Sequence, residues 1–165
     1  PCEGRNGGYS ASTLYAGDRY VSYVTDWKDF YESGGIVLTG RYTTSNAIYQ
    51  LSKVPPRECG DFLSWLFDFE YCKLGLPEPD EVIFLDMPTE VSQKLLTNRY
   101  NGDESKKDIH ERDIEFMNRC RDCAIFCAKA YSWTVIDCSE NGVPLSIEDV
   151  YMKISSHLRT ILGNE

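Results

Sequence analysis

The stretch GGIVLTGRYTTSNAIYQ, residues 34–50, is the part of the chain from which the fold is predicted. Gly34 and Gly35, at its start, are expected to end the preceding element. Residues 36–38 form a short apolar run, Ile-Val-Leu, typical of a buried parallel strand. Gly40 stops the run, and residues 43–46 carry the hydroxyl and amide side chains that favour helix N-termini. We therefore predict a strand, a tight turn that presents Arg41, and the start of a helix.

The predicted turn has the chemistry of an anion site. In an open α/β sheet, ligands bind beyond the carboxyl ends of the strands. A helix N-terminus offers free N–H groups there, and Arg41 adds a forked donor suited to phosphate. The alternative is that Arg41 merely pairs with a surface carboxylate, which would require no ligand.

Composition limits the classes of function. A chain of 165 residues predicts a single domain with a core of its own. The net charge of -9 and the pI near 4.7 oppose a nucleic-acid partner, whereas a local arginine cluster can still bind a small anion. No apolar run approaches the roughly 20 residues that span a bilayer, so we expect no membrane partner and a cytoplasmic protein. The seven cysteines are expected to remain thiols.

Taken in order, the chain alternates helices with short apolar strands. The first helix, about 10–33, is predicted to be closed by Gly34 and to bury a stripe of residues at helical spacing: Leu14, Gly17, Val21, Val24, Trp27 and Tyr31. Further helices are predicted near 45–54, 61–72, 88–99 and 109–130, with a last one capped by Ser146 and Asp149, and strands at 36–39, 82–85 and 134–136. This order predicts a parallel α/β sheet with helices on both faces.

Four segments resemble thymidylate kinases of the bacterial type: LYAGDRY, GRYTTSNAIYQ, FLDMPTEVSQKLL and KKDIHERDIEFMNR. The resemblance covers nearly the whole chain after residue 10, in the family's order. It implies a P-loop NTPase-like three-layer fold, with a parallel sheet flanked by helices, and one nucleoside monophosphate kinase domain over residues 1–165. It also implies transfer of the γ-phosphoryl group of ATP, with Mg²⁺, to dTMP to give dTDP for dTTP biosynthesis, and a homodimer is usual in the family.

The resemblance assigns roles to residues at the motif positions. Tyr15 matches the aromatic residue that stacks on thymine, and Arg19 matches the arginine one helical turn later. Arg41 matches the arginine that holds the dTMP phosphate, and is the candidate catalytic residue. We expect Arg19 to assist it at the phosphate. Ser45 and Asn46 match a Ser-Asn pair, and the Asn amide carries the donor and the acceptors needed to match a pyrimidine edge.

Two further residues complete the implied dTMP site. Tyr49 matches the tyrosine that crowds the 2′ position of the sugar and so favours deoxyribose, and Gln50 is adjacent to it. For Tyr15 and Tyr49 the alternative is that each is an ordinary aromatic residue of the core.

The charged loop at about 100–110 takes the place of the family's LID. Arg99 lies at its root, and Lys106 and Lys107 lie within it, so these basic groups would approach the triphosphate when the lid closes. The alternative is that both lysines are simply solvated. For His110, capping or packing is favoured over a metal role because no second ligand lies nearby at metal spacing.

Three cysteines in the predicted helix at 109–130 are better explained as packing residues than as metal ligands. Cys120, Cys123 and Cys127 recur at helical spacing, with Phe116 and Ala124 on nearby faces. Small buried thiols on a helix explain this pattern, and a closed zinc site needs a fourth ligand.

Two departures from the family leave two classes of function open. The sequence contains no G-x-x-x-x-G-K-[ST], the loop that holds the triphosphate and Mg²⁺, so we expect an N-terminal strand–loop–helix unit to be missing from this chain. Gly40 stands where the family has an aspartate. The chain is therefore either a dTMP kinase without its N-terminal unit, inactive alone, or an inactive module that retains a dTMP-binding cleft.

Overall fold

The computed structural model describes residues 7–103, 111 and 113–163. The chain forms two compact units, Pro1–Pro79 and Asp80–Glu165. The fold is mixed α/β and rich in helix, with a small parallel sheet. The part of the chain that is described contains no helix long and apolar enough to cross a membrane.

The first unit is helical. Its elements are α1 (Gly7–Ser22), a π-helical segment (Tyr23–Trp27), α2 (Lys28–Glu32), α3 (Thr43–Tyr49), two 3₁₀ turns (Leu51–Lys53 and Pro56–Glu58), α4 (Cys59–Phe67) and a second π-helical segment (Asp68–Lys73). The predicted first helix is thus present in three consecutive parts. Its end is also as predicted, because Gly34 has a φ of 91° and closes a Schellman motif with its neighbour: Gly34 N–H donates to the Tyr31 carbonyl and Gly35 N–H to that of Phe30.

The predicted buried stripe of the first helical region is wrong up to Val24, whereas Trp27 and Tyr31, at its end, are half-buried. Leu14, Val21 and Val24 are exposed, and the buried positions of α1 are Gly8, Ser12 and Ala16. These small residues recur every four positions and let the helix approach its neighbours closely. A Cβ added to Gly8 would lie 3.2 Å from the Gln50 carbonyl oxygen.

The strand predicted at 36–39 is also wrong. This segment belongs to neither sheet of the described residues, and Ile36 and Leu38 are 72% and 84% exposed. A strand requires a neighbour with which to share its backbone hydrogen bonds. No described residue pairs with this segment, so the apolar run lies at the surface.

The core of the first unit gathers around α4. Phe62, Leu63 and Leu66 are fully buried there, and Leu51 packs with them in the same core. The ring of Tyr9, on α1, meets Phe62 edge to face with the centroids 5.0 Å apart. α1 and α4 therefore share one apolar interior, and α3 contributes the buried Ala47 to the core of this unit.

The second unit contains the parallel sheet. Its elements are β1 (Ile83–Asp86), α5 (Thr89–Arg99), α6 (Ile114–Ala130), β2 (Thr134–Asp137), β3 (Ser139–Glu140), β4 (Val143–Pro144) and α7 (Ile147–Leu162). β1 and β2 pair in parallel, with Ile83 opposite Thr134 and Asp86 opposite Asp137. The predicted strands at 82–85 and 134–136 are therefore confirmed, although the parallel sheet has two strands among the described residues rather than three.

Helix ends in the second unit follow local chemistry. The side chain of Asp113 caps α6 by accepting from Phe116 N–H, and the first residues of the predicted helix at 109–130 lie outside the described residues. Ser146 Oγ accepts from Asp149 N–H and donates to the Asp149 carboxylate, which confirms the predicted cap of the last helix.

A short antiparallel hairpin, β3–β4, was not predicted. Asn141 and Gly142 form its turn, with φ values of 50° and 76°. An Asn-Gly pair with two positive φ angles is a strong hairpin indicator, so the sequence did carry the information.

Two of the three cysteines of α6 are buried, and Cys123 is half-buried. Cys120 and Cys127 are buried together with Phe116 and Ala124. The described residues contain no group of three or more metal-ligating side chains. The interpretation of these thiols as small packing residues is therefore consistent with their placement.

Candidate functional site

A buried carboxylate joins three helical segments of the first unit. Glu70, on the second π-helical segment, has no solvent exposure. Arg19 of α1 donates to it from Nε at 2.8 Å and from Nη2 at 3.3 Å. Asn46 of α3 donates from Nδ2 to Glu70 Oε1 at 3.0 Å and to the Ser12 carbonyl at 3.2 Å. We call Ser12, Arg19, Asn46 and Glu70 the Glu70 cluster.

The cluster satisfies a charge that would otherwise be very costly to bury. A carboxylate removed from water needs both a counter-charge and donors for its oxygens. Arg19 supplies the charge and two N–H groups, and Asn46 supplies a third donor. The cluster therefore fixes the side chains of two predicted site residues relative to each other.

Glu70 itself was not predicted. Phe62, Leu66 and Glu70 recur every four residues, and all three are fully buried. A glutamate that continues the buried face of a helix needs an ionic or hydrogen-bonded partner, so this spacing was the available indication.

Tyr15 lies one turn before Arg19 on α1 and is 57% exposed. The alternative that Tyr15 is a core residue of this unit is therefore wrong. An exposed aromatic ring one helical turn from a fixed guanidinium is available to a planar ligand.

Arg41 lies against Tyr49, an exposed tyrosine at the end of α3. Its guanidinium carbon is 4.7 Å from the centroid of the Tyr49 ring, a cation–π contact. The preceding turn is closed by Thr39, whose hydroxyl donates to the Arg41 carbonyl at 2.8 Å. Among the residues described, Arg41 forms no ion pair with a carboxylate, so the surface-pair alternative is not observed there. No described residue accepts a hydrogen bond from the Arg41 guanidinium, so its N–H donors remain available to an anion.

The remaining predicted residues of α3 have different environments. Ser45 is half-buried on α3, with no hydrogen bond from its side chain to the described residues. Gln50 is buried, and its Oε1 accepts from Lys53 Nζ at 2.9 Å. Its predicted place beside the ligand stays a prediction.

Two tyrosines that were not predicted lie near the cluster. The ring of Tyr42 lies 5.6 Å from the Arg19 guanidinium, and its hydroxyl donates to the Pro77 carbonyl. Burial raises the pKa of Tyr42 well above its ordinary value. Burial likewise raises the pKa of Tyr71 to about 12, and Tyr71 shares a hydrogen bond with Thr43. Both phenols are therefore neutral over the range in which most proteins are folded.

The predicted triphosphate residues belong to the second unit. Arg99 is exposed at the end of α5, and Lys106 and Lys107 lie outside the described residues. Their predicted roles stay predictions. At the carboxyl end of β1, Asp86 accepts from Arg121 Nε and Nη2, both at 2.7 Å, and this hydrogen bonding raises the pKa of Arg121.

No protein-family model matches the chain. It is 30% identical over 112 residues to a thymidylate kinase of Mycobacterium tuberculosis, in an alignment that covers 67% of this chain and 52% of that protein. It is 30% identical over 142 residues to a probable thymidylate kinase of Caldivirga maquilingensis, covering 82% and 62%. A probable thymidylate kinase of Thermococcus gammatolerans is 29% identical over 141 residues, covering 86% and 59%.

The chain spans about half the length of the curated relatives it matches. The similarity recurs in a bacterial and in two archaeal proteins that carry the same description, and it extends over most of this chain. The similarity to thymidylate kinases that the sequence motifs indicate is therefore confirmed, whereas the bacterial type and the missing N-terminal unit stay predictions.

Proposed function

We propose that the first unit forms the dTMP-binding part of a thymidylate kinase, the enzyme that transfers the γ-phosphoryl group of ATP to dTMP. The observation that carries the proposal is the Glu70 cluster. Arg19 and Asn46 come from different helices and meet at one buried carboxylate, and Tyr15 remains exposed one turn from Arg19. A fixed cation, a fixed amide and an exposed aromatic face together suit a nucleotide.

Each side chain has a proposed role. Arg41 holds the phosphate of dTMP and is the proposed catalytic group, because its edge donors can form paired hydrogen bonds with phosphate oxygens. Tyr15 stacks on the base, and Asn46 hydrogen-bonds its edge. Arg19 donates to the phosphate through the N–H groups that Glu70 does not accept, and Tyr49 limits the space at the sugar 2′ position. Ser45 and Gln50 are proposed to complete the pocket.

The described residues do not by themselves fit a Mg²⁺–ATP site. Both oxygens of Asp86 accept from Arg121, and the described residues offer no cluster of metal ligands. We therefore propose that the triphosphate and Mg²⁺ are held mainly by a P-loop outside these 165 residues, with Arg99, Lys106 and Lys107 assisting. The proposed enzyme acts in the cytoplasm, and a homodimer is the assembly that the resemblance implies.

Calorimetric titration of the folded chain with dTMP tests the proposal. Arg41→Ala is expected to weaken dTMP binding by roughly 1.5–3 kcal/mol, the usual effect of losing a charge-assisted contact. Arg57→Ala is the matched control, because it removes the same charge from the same unit at a side chain that is 75% exposed and pairs with Glu58. Undetectable dTMP binding by the folded parent, or equal affinities in the parent and Arg41→Ala, would contradict the proposal.

The second candidate function is an inactive module that binds dTMP without phosphoryl transfer. Gly40 favours it, since the family has a carboxylate at this position and the space around Gly40 is open, with no atom within 4 Å of a Cβ built there. The coding sequence upstream of residue 1 separates the two candidates. An in-frame P-loop supports the kinase, and a start codon close to residue 1 supports the inactive module.

A further inference from the structure

The segment that carries Arg41 is held by few interactions of its own. Residues 36–41 lie in neither a helix nor a strand, and they form no backbone-to-backbone hydrogen bond with any residue that the structure describes. Within the segment, the Thr39 hydroxyl donates to the Arg41 carbonyl at 2.8 Å. The position of Arg41 therefore depends on how the segment is fixed at its two ends, Gly35 and Tyr42.

Tyr42 fixes the end of the segment that adjoins Arg41. Its hydroxyl donates to the Pro77 carbonyl at 2.9 Å, 35 positions further along the chain. Its ring lies edge to face with Trp27, with the centroids 6.2 Å apart, and is 5.6 Å from the guanidinium carbon of Arg19. The ring contacts and the hydroxyl bond are separate interactions, so the hydroxyl can be removed without removing the ring.

The carbonyl that accepts this bond belongs to a well-anchored part of the unit. Leu76, the residue before Pro77, is 2% exposed, and its N–H donates to the Glu70 carbonyl at 3.0 Å. The pyrrolidine ring of Pro77 restricts the backbone further. A second bond, between the hydroxyls of Tyr71 and Thr43, ties the first residue of α3 to the same part of the chain. The residues that follow Glu70 therefore support the start of α3 and the turn before it.

We propose that Tyr42 is a positioning residue for Arg41: its hydroxyl bond to Pro77 holds the turn in the conformation from which the guanidinium reaches the phosphate of the nucleotide. This inference rests on the proposed function, in which Arg41 binds that phosphate. Arg41 directly precedes Tyr42, so a change of backbone conformation at Tyr42 displaces it. Without the hydroxyl bond the turn populates other conformations, and the apparent affinity for the phosphate falls with the fraction of molecules that remain competent.

Calorimetric affinities of the full chain for thymidine and dTMP test this role, because the ratio of the two dissociation constants measures the phosphate contribution alone. Y42F removes the hydroxyl and keeps the ring. It is expected to lower the ratio roughly three- to tenfold, through weaker binding of dTMP with the affinity for thymidine unchanged. Y20F is the matched control, because Tyr20 is an exposed tyrosine of the same unit whose hydroxyl forms no hydrogen bond with the described residues. A residue that only supported the fold would weaken both ligands equally and leave the ratio unchanged.

A double-mutant cycle tests whether Tyr42 acts through Arg41. In the Arg41→Ala background, Y42F is expected to leave the affinity for dTMP unchanged, because no guanidinium remains to be positioned. An equal loss in both backgrounds, or an unchanged ratio in folded Y42F, overturns the inference and leaves the proposed function standing. If Y42F does not fold, Y71F replaces it, because it loosens the start of α3 through Thr43, and an unchanged ratio there likewise overturns the inference. Absence of dTMP binding by the folded parent, or no effect of Arg41→Ala, refutes the proposed function and this inference together.

Discussion

Replacing Arg19 by methionine would leave Glu70 as a buried carboxylate without its counter-charge. The change removes the two guanidinium hydrogen bonds, at 2.8 and 3.3 Å, and leaves the one from Asn46 at 3.0 Å. Arginine and methionine have similar helix propensities, so the backbone of α1 contributes little to the difference. The measured loss of stability therefore reports the ion pair.

The expected loss can be estimated from burial. Removing one partner of a buried ion pair costs 3–5 kcal/mol in general. The Arg19 side chain is 16% exposed and Glu70 is fully buried. Because Asn46 still donates to the carboxylate, we expect the lower end of that range, about 3 kcal/mol. Against the 5–15 kcal/mol typical of a whole domain, this is a large fraction of the total stability.

Urea unfolding followed by circular dichroism measures the effect, with the free energy extrapolated to zero denaturant. Arg57→Met is the control, since its exposed pair with Glu58 should change stability by less than about 0.5 kcal/mol. The double variant Arg19→Met, Glu70→Met should recover part of the loss, because it no longer buries an unpaired charge. A loss below about 1 kcal/mol in the single variant, or a double variant less stable than the single one, would refute this account of the cluster.

Two further predictions concern the tyrosines. Burial raises the pKa of Tyr71 to about 12, so the neutral phenol stabilises the folded state fully below the unfolded-state pKa of about 10. This stabilisation is lost as the pH rises from about 10 to about 12. Over that range the free energy of unfolding should therefore fall less in Tyr71→Phe than in the parent. If Tyr49 limits the space at the sugar 2′ position, the parent should bind dTMP more tightly than its ribonucleotide analogue, and Tyr49→Ala should narrow the gap; equal parent affinities would exclude this role.

The sequence predicted best the features that depend on neighbouring residues. Gly34 ends the first helical region because only a residue at ease with positive φ closes a Schellman motif there. Ser146 caps the last helix through Asp149, three residues away. The β1 and β2 segments also follow from short apolar runs between helices. The helix ends depend on residues a few positions apart in the sequence. The two strands were recognisable because each is a short apolar run between two helices.

The predictions that were wrong concern features that depend on partners distant in the sequence. Residues 36–38 have the composition of a buried strand, but strand formation requires a paired neighbour, which the described residues do not supply. On α1, large apolar side chains such as Leu14 suggested the buried face, whereas close packing selected small residues such as Ala16. Composition alone does not show which face of a helix its neighbours can approach.

The roles assigned to the candidate site residues stay predictions, and the structure shows the surroundings of each side chain. Tyr15 and Arg41 follow from family motifs, and their exposure and surroundings are consistent with ligand contact. Glu70 was missed because it belongs to no motif, and the partner that explains its burial comes from another helix. Family motifs contain the residues that contact a ligand, but not the residues that hold those side chains in position.

Substitutions of the two arginines of the proposed site therefore measure different properties: folding stability and ligand binding together for Arg19, and ligand binding for Arg41. Arg19 donates two hydrogen bonds to a buried carboxylate, so its removal weakens the scaffold and the ligand contacts together, and lost dTMP binding in that variant has two causes. Arg41 is exposed, and its observed side-chain contact is with the Tyr49 ring, so its removal leaves the Glu70 cluster intact. A loss of affinity in a folded Arg41 variant therefore reports on the proposed phosphate contact together with the placement of the Tyr49 ring, and not on the Glu70 cluster. For Arg19, the stability measurement must come first, and only the binding loss that exceeds the loss of folded protein belongs to the ligand.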